Sequence, residues 1–456
     1  MKFLFRSSDG LCLPQALRVQ SEGNKVKLSI EQPGYDNAGN GFVDKVMNFN
    51  SAVDWADVIV YDVQDGPLPK EADKIRKLKP VVGSSELGGQ LEHDRAFGIE
   101  FAKKAGIKIP EVQEFTGPAA FRRAKEFIQG KPKEVNWVWK VNGKAPSSVG
   151  TYVAKGGRSE MLRMLKYWED QYRGEGISPD FIVTTKIEGE EISTEAWFNG
   201  RSFELPNHTL ERNKFFNGDL GEKTGCSGNV VWATDKNAPL YRKLLEPLVG
   251  KLQDKFVGPL DVNVIIEKKT NEPVFLEFSP RFGYDAIFSL MDLLETDFGE
   301  FLYQIASGQV WSGRVSAGFS GDVRLHIPPF PAKSSKEQSD EAVGVPIFGI
   351  DASKYNPHQH LVEVMLDRDD EPVTSGPHGY VMSVTGRGED VRSAEEAAYK
   401  QVDKIRVPNM RYRTDLADVI EEVYNKIEES GWLSNDSRPK NVLGLSQIFQ
   451  RRAFRP

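Results

Sequence analysis

Cysteine is nearly missing from this chain: Cys12 and Cys226 are the only two in 456 residues. Two thiols cannot build a disulfide framework, so the simplest compartment is a reducing one. Long apolar runs are missing as well. None approaches the roughly 20 residues of a membrane span. The opening "MKFLFRSSDG" offers only three consecutive apolar residues, too few for a signal peptide. Positive charge is not in excess. The formal net charge of −7 argues against a whole-surface nucleic-acid or membrane binder. There are no internal repeats and no low-complexity blocks. The first strand-to-helix turn, "RSSDGLCL", has one glycine and no G-x-G-x-x-G, which argues against a dinucleotide site there. These absences leave a soluble, cytoplasmic, multidomain protein. Its 39% apolar and 27% charged residues are ordinary for that class.

What is present divides along the chain. In residues 1–88, "KFLF", "DVIVYDV" and "KPVVGSS" read as buried parallel strands, with "CLPQALRVQ" and "KEADKIRKLK" as helices between them. That pattern predicts a doubly wound α/β domain. Residues 90–105, "QLEHDRAFGIEFAKKA", predict one amphipathic helix with Leu91, Phe97, Phe101 and Ala105 inward. Residues 119–181 read as a small α+β insert between 89–118 and 182–318, a central domain of alternating strands and helices. Residues 319–432 form a strand-rich unit whose last helix, "SAEEAAYKQVDKI", has a capping-box spacing at Ser393 and Glu396. The tail 433–456 is basic, and it is the one segment where a nucleic-acid contact is conceivable.

Four dispersed features share one chemical theme. Arg95 sits beside an apolar helix face, where a guanidinium reaches phosphate. Lys140 ends the apolar strand "VWKV" and precedes the small-residue loop 142–150, whose Ser147 and Ser148 suit an anion cradle. "TTKIEGEE" follows a strand with a short linker and two carboxylates, a pattern that suits adenine against backbone and a glutamate on ribose hydroxyls. Finally "DVNVII" and "VFLEFSPR" flank the turn "EKKTNEP". A hairpin centred near Asn271 sets Asn263 and Glu277 nearly opposite each other, as oxygen donors suited to Mg²⁺. The competing explanation of Glu277, a carboxylate between Leu276 and Phe278, is a buried ion pair with Arg281.

The order of these motifs resembles the ATP-grasp superfamily, and within it the phosphoribosylamine–glycine ligases. "QLEHDRAFGIEFAKKAGIKIPEVQEF" resembles the family's Leu-Glu-x-x-Lys-x-Phe helix and following strand. "IEGEEIS" resembles its Leu-x-Gly-Glu-Glu linker, "TGCSG" its Thr-Gly-Gly-Met-Gly turn, and "FLEFSPRFG" its Ile-Glu-Phe-Asn-x-Arg-Phe-Gly strand. The resemblance extends over "VTSGPHGYVMSVTGRGEDVRSAEEAAYKQVDKI" near the C-terminus. It implies an ATP-grasp fold with an N-terminal doubly wound domain, a small lid (119–181) and a C-terminal strand-rich domain.

By the same resemblance, ATP phosphorylates a carboxylate, and an amine attacks the acyl phosphate. ATP and Mg²⁺ are the implied cofactors, with Mn²⁺ as an alternative ion. Arg95, Lys140, Ser147 and Ser148 would hold phosphates, Lys186 and Ile187 the adenine, and Glu191 the ribose. Glu277, Asn263 and Ser279 would serve the metal, and Arg281 with Lys140 the chemical step. Lys214, Thr224, Gly225, Tyr284 and Asp285 would line the substrates, a small carboxylate and an amine. The implied assembly is a monomer or homodimer. The chain departs from the family where Ser279 replaces an asparagine, where "YDA" replaces Asp-Pro-Glu, and where the N-terminal glycine-rich turn is absent. Those departures leave three readings: the family reaction, ligation of another amine to a nucleotide-like substrate, or a non-catalytic nucleotide-binding scaffold.

Overall fold

The computed structural model describes residues 1–142, 150–331 and 340–433. The N-terminal unit is a five-stranded parallel sheet. Lys2–Ser7 lies at its centre, Lys25–Ile30 and Asp44–Lys45 on one side, Val58–Tyr61 and Val81–Val82 on the other. Every residue of "VIVY" is buried, as a parallel strand covered on both faces requires. Helices Leu13–Ser21 and Leu68–Arg76 each place proline in the first turn, where its missing N–H costs no bond.

The main body is one antiparallel sheet of eight strands. In spatial order they are Pro273–Ser279, Gly258–Glu267, Gly189–Phe198, Phe203–Glu211, Gly228–Ala233, Phe319–His326, Tyr380–Gly388 and Gln359–Leu361. Backbone pairing of 228–231 with 320–323 carries this sheet straight across the expected boundary at residue 319. The small unit likewise exceeds 119–181. Its four-stranded sheet takes Val112–Phe115 and Phe181–Thr185 together with Trp137–Val141 and Thr151–Val153. The reason is a separate aromatic core, in which Phe115 and Phe181 pack with Trp137 and Trp139. Trp139 stacks on Trp168 with ring centroids 4.0 Å apart, a contact worth about 1 kcal/mol beyond its burial.

Two local expectations change, and a third segment with a helical pattern is interrupted. The helix expected over 90–105 is two helices, Glu86–His93 and Arg95–Lys104. Asp94 leaves the helical backbone between them, and its carboxylate accepts from the Phe97 N–H, which starts a new helix at Arg95. The last capping box forms three residues earlier, between Asp390 and Ser393, because the helix begins at Val391. The pattern "LYRKLLEPLVGKLQDKF" is broken into short turns around Pro247, which has no N–H to continue a helix. Among the described residues no helix is long and apolar enough to cross a membrane. The 433–456 tail expectation falls, apart from Leu433, outside the described residues.

Candidate nucleotide and metal site

The hairpin joining Gly258–Glu267 to Pro273–Ser279 turns at Asn271, whose φ of 56° puts it in the left-handed region. Asn263 pairs directly with Glu277, as the turn position predicts. Pairing then resumes at Val264 with Phe275, so Leu276 is an extra residue, a β-bulge. The bulge has two effects. It lets Phe275 and Phe278, three residues apart, share the core, with ring centroids 4.7 Å apart. It also leaves the Leu276 carbonyl to accept from the Lys140 ammonium at 3.3 Å.

Glu277 therefore points into a cleft between the large sheet and the small unit. Half of its side-chain surface remains open. Its partners are Arg95, whose guanidinium donates at 2.9 Å, and Lys140 at 3.9 Å. Burial pushes the Glu277 pKa up, but Lys140 and Arg95 overcome that and hold it at about 2. The Lys140 pKa moves down, driven first by burial and then by Arg95 and Lys223, against the pull of Glu277. The ion pair with Arg281 does not form. Arg281 donates to Glu92 at 2.9 Å and lies 3.9 Å from the Tyr284 ring. Arg95 is fixed from the small unit, because its Nε donates to the Val141 carbonyl and its backbone N–H to Asn142. A cleft lined by Glu92, Arg95, Lys140 and Glu277, among others, lies here.

Strand alternation extends the polar face. Ser193 donates to Asn263 at 2.9 Å, and Asn263 donates to Asp261 at 3.2 Å and to Ser279 at 3.4 Å. Asp261 pairs across to Ser279 and Glu195, and its Oδ1 is buried without a hydrogen-bond partner. Burial raises Asp261 to about 7, and burial with the Asp261 charge raises Glu195 to about 8. Carboxyls crowded onto one buried face raise one another's pKa, a cost that a cation placed between them would relieve. The set Glu277, Asp261, Asn263 and Ser279 is all oxygen, which fits Mg²⁺ completed by phosphates and water. Among the described residues no three His, Cys, Asp or Glu gather into a metal cluster, so amide and hydroxyl oxygens are part of any such set.

The other expected residues distribute as follows. Glu191 lies near Glu277 and Lys140, its pKa raised by burial and opposed by Lys223. In the linker, Lys186 donates its backbone N–H to the Asn136 carbonyl and pairs with Glu188, while Ile187 is half-buried beside it. Ser147 and Ser148 lie outside the described residues. Lys214 is turned into its own hairpin, donating to the Gly221 carbonyl at 2.7 Å. Thr224 hydrogen bonds with Ser227 at 2.7 Å, and Gly225 lies against the Tyr284 ring. Asp285 is 1% exposed, and both its oxygens are taken: Arg324 donates to one at 2.7 Å and the Tyr380 hydroxyl to the other. Each Asp285 oxygen thus already accepts one hydrogen bond from within the fold.

Sequence reading missed Asp261, Glu195 and Lys223. The first two were legible, because "DVN" and "EISTE" place them at even spacing from Asn263 and Glu191. Lys223 carried no such signal, since only the fold of the hairpin Lys214–Phe216 and Leu220–Lys223 brings it over the cleft.

Residues 93–286 match the family model described as the ATP-grasp (A) domain of phosphoribosylglycinamide synthetase. A bifunctional purine biosynthetic protein of Saccharomyces cerevisiae is 29% identical over 356 residues, covering 74% of this chain and 43% of that protein. The chain thus spans less than half of that relative. A phosphoribosylamine–glycine ligase of Leptospira interrogans is 24% identical over 370 residues, covering 79% of this chain and 83% of the relative. In structure, the phosphoribosylamine–glycine ligase of Thermotoga maritima superposes with a TM-score of 0.69 at 20% identity, over 91% of this chain and all of that one. The Hydrogenobacter thermophilus biotin carboxylase domain, solved with MgADP, superposes at 0.60 with 11% identity, over 95% of this chain and 96% of the other. At those identities the likeness speaks for the fold. The structural matches give this chain the ATP-grasp fold, and its residues 93–286 are similar to the ATP-grasp domain of the phosphoribosylamine–glycine ligases.

Proposed function

We propose that this chain is an ATP-dependent, ADP-forming carboxylate–amine ligase. The observation that carries the reading is the position of Glu277, opposite Asn263 on a carboxylate-rich face and ringed by Arg95 and Lys140. A carboxylate is inert to amines at neutral pH. Transfer of the γ-phosphoryl group to its oxygen breaks the bond to ADP and creates a leaving group. The amine nitrogen then forms the C–N bond as the C–O bond breaks, phosphate departs with that electron pair, and the nitrogen's proton passes to solvent. Catalysis of this kind rests on positioning and charge neutralisation.

Glu277, Asp261, Asn263 and Ser279 are the residues that would hold Mg²⁺, which when bound neutralises phosphate charge. Arg95 and Lys140 are already converged on one carboxylate, and a nucleotide's phosphates give both cations a second anion to bind. Arg281, held by Glu92 and Tyr284, is positioned at the other end of the same face to steady the transferred group. Glu191 and the 186–187 linker take ribose and adenine. Calorimetry with Mg·ADP, followed by ADP release against a panel of carboxylates and amines that includes glycine with phosphoribosylamine, tests the reading. Substrate-dependent ADP release is expected, and Glu277→Gln lowers it at least 100-fold. An absence of nucleotide binding would refute it.

A further inference from the structure

Lys223 ends the two-stranded ribbon formed by Lys214–Phe216 and Leu220–Lys223, and its ladder partner is another lysine, Lys214. Like charges directly opposite each other on a ribbon repel. Lys214 escapes by folding its ammonium onto the Gly221 carbonyl at 2.7 Å. Lys223 does not escape: it is exposed, and among the described residues no carboxylate pairs with it. Nor can the ribbon turn away. The Arg413 guanidinium, with no exposed side-chain surface, donates to Asp219 at 2.7 Å and to the Lys214 carbonyl at 3.2 Å. Asn217 donates to the Thr414 hydroxyl at 2.7 Å, and the Gly218 N–H to Asp415 at 2.8 Å. A local conflict held in place by the rest of the fold is a feature of functional positions.

The residues that follow fix where Lys223 lies. The Thr224 N–H donates to the Asn213 carbonyl at 2.8 Å and closes the ribbon. Gly225 then lies against the Tyr284 ring, itself 3.9 Å from the Arg281 guanidinium. Lys223 is thus two residues from the wall of the cleft at its Arg281 end. Toward the other end its charge acts on Glu277, Glu191 and Lys140. Arg95, Lys140 and Lys223 therefore converge from three separate parts of the chain on the surroundings of one ionised carboxylate, Glu277. Like charges gathered in this way repel until an anion lies between them, and a cleft of one sign concentrates such anions.

We propose that Lys223 is a further phosphate-binding residue, which takes the nucleotide's phosphates from the ribbon while Lys140 takes them from the small unit and Arg95 from helix Arg95–Lys104. The inference rests on the nucleotide site proposed above. Lysine suits the place, because a compact charge on a flexible stem can follow a phosphate without a fixed fork geometry. Glu277 alone cannot serve three cations, and each added phosphate charge turns the repulsion between Lys140 and Lys223 into a shared attraction. Lys223 therefore contributes through its charge, and its burial and packing contribute nothing.

Calorimetry of Mg·ADP with the full chain tests this over a charge series at position 223, at low and at high salt. Lys223→Met is expected to weaken binding at least tenfold at low salt. Lys223→Arg should keep it within about threefold, and Lys223→Glu should weaken it more than Lys223→Met does. The loss in Lys223→Met should shrink at high salt, because exposed charges are screened. A melting transition shows that each variant is folded, which an exposed position makes the expected result. A merely structural role would not order the variants by charge or respond to salt in this way. Unchanged affinity in Lys223→Met, an equal loss in all three variants, or a loss indifferent to salt would each overturn the proposal. Those outcomes leave the nucleotide site standing, whereas a wild-type chain that binds no Mg·ADP would overturn both.

Discussion

Arg324 and Asp285 form an ion pair with almost no solvent access, at 3% and 1% side-chain exposure and 2.7 Å separation. It joins the strand Phe319–His326 to the residue just before helix Ala286–Leu293, four positions after Arg281. The Arg324 guanidinium also donates to the Thr224 carbonyl at 3.1 Å and lies 4.3 Å from the Tyr380 ring. Removing one partner strands the other charge in a medium that cannot solvate it, at about 3–5 kcal/mol. Arg324→Met is expected to cost that amount, and Asp285→Asn a similar one. Asparagine is the right probe, because the φ of 51° at this position is one that Asn tolerates nearly as well as Asp. The double variant leaves no unpaired charge, so its cost should fall short of the sum by about 2–3 kcal/mol. Urea unfolding at neutral pH measures all three, read from midpoints at unchanged slope. Single changes below about 1 kcal/mol, or strict additivity, would refute the reasoning. They would return Asp285 to the substrate-binding role its sequence context suggests.

Three shorter predictions follow. Gly83 has φ of +104° and bridges to Val257 between the N-terminal unit and the large sheet, and a Cβ there would collide with the Tyr61 carbonyl. Gly83→Ala should cost more than about 2 kcal/mol by the same unfolding measurement. His208 is fully buried beside Thr194, and burial lowers its pKa from 6.5 to about 3. The unfolded chain therefore binds the extra proton between those values, and the stability this group contributes is lost as pH falls below 6.5. His208→Gln should flatten the stability profile by about 1.4 kcal/mol per pH unit between pH 6.5 and 4. Lys140→Met removes a cation that Glu277 and the nucleotide share. It should weaken Mg·ADP binding at least tenfold in calorimetry while the melting temperature stays within a few degrees.

Much of the site was legible because alternation along strands is strict. "DVNVII" and "VFLEF" flanking a turn at Asn271 were enough to set Asn263 against Glu277. Arg95 stands out beside an apolar helix face, and Lys140 at the end of an apolar strand. What escaped needed tertiary information. The partner of Arg281 is Glu92, on a helix nearly 190 positions earlier, and no local pattern links the two. Strands pair across the boundaries expected at 119 and 319, and pairing between distant segments leaves no mark on composition. Asp94 resembled any polar residue on a helix face until its side chain was seen capping the next helix.

The bulge at Leu276 separates two duties that a regular strand would fuse. Deleting that residue would restore plain pairing, with Phe275 still opposite Val264 and Glu277 still opposite Asn263. The metal-side carboxylate would keep its place, but the carbonyl that anchors Lys140 would be gone. A single codon thus stands between a cleft that gathers cations and one that also disciplines the lysine above them. Lineages that lost or gained it would differ in where this lysine is held while the Asn263–Glu277 pair stayed the same.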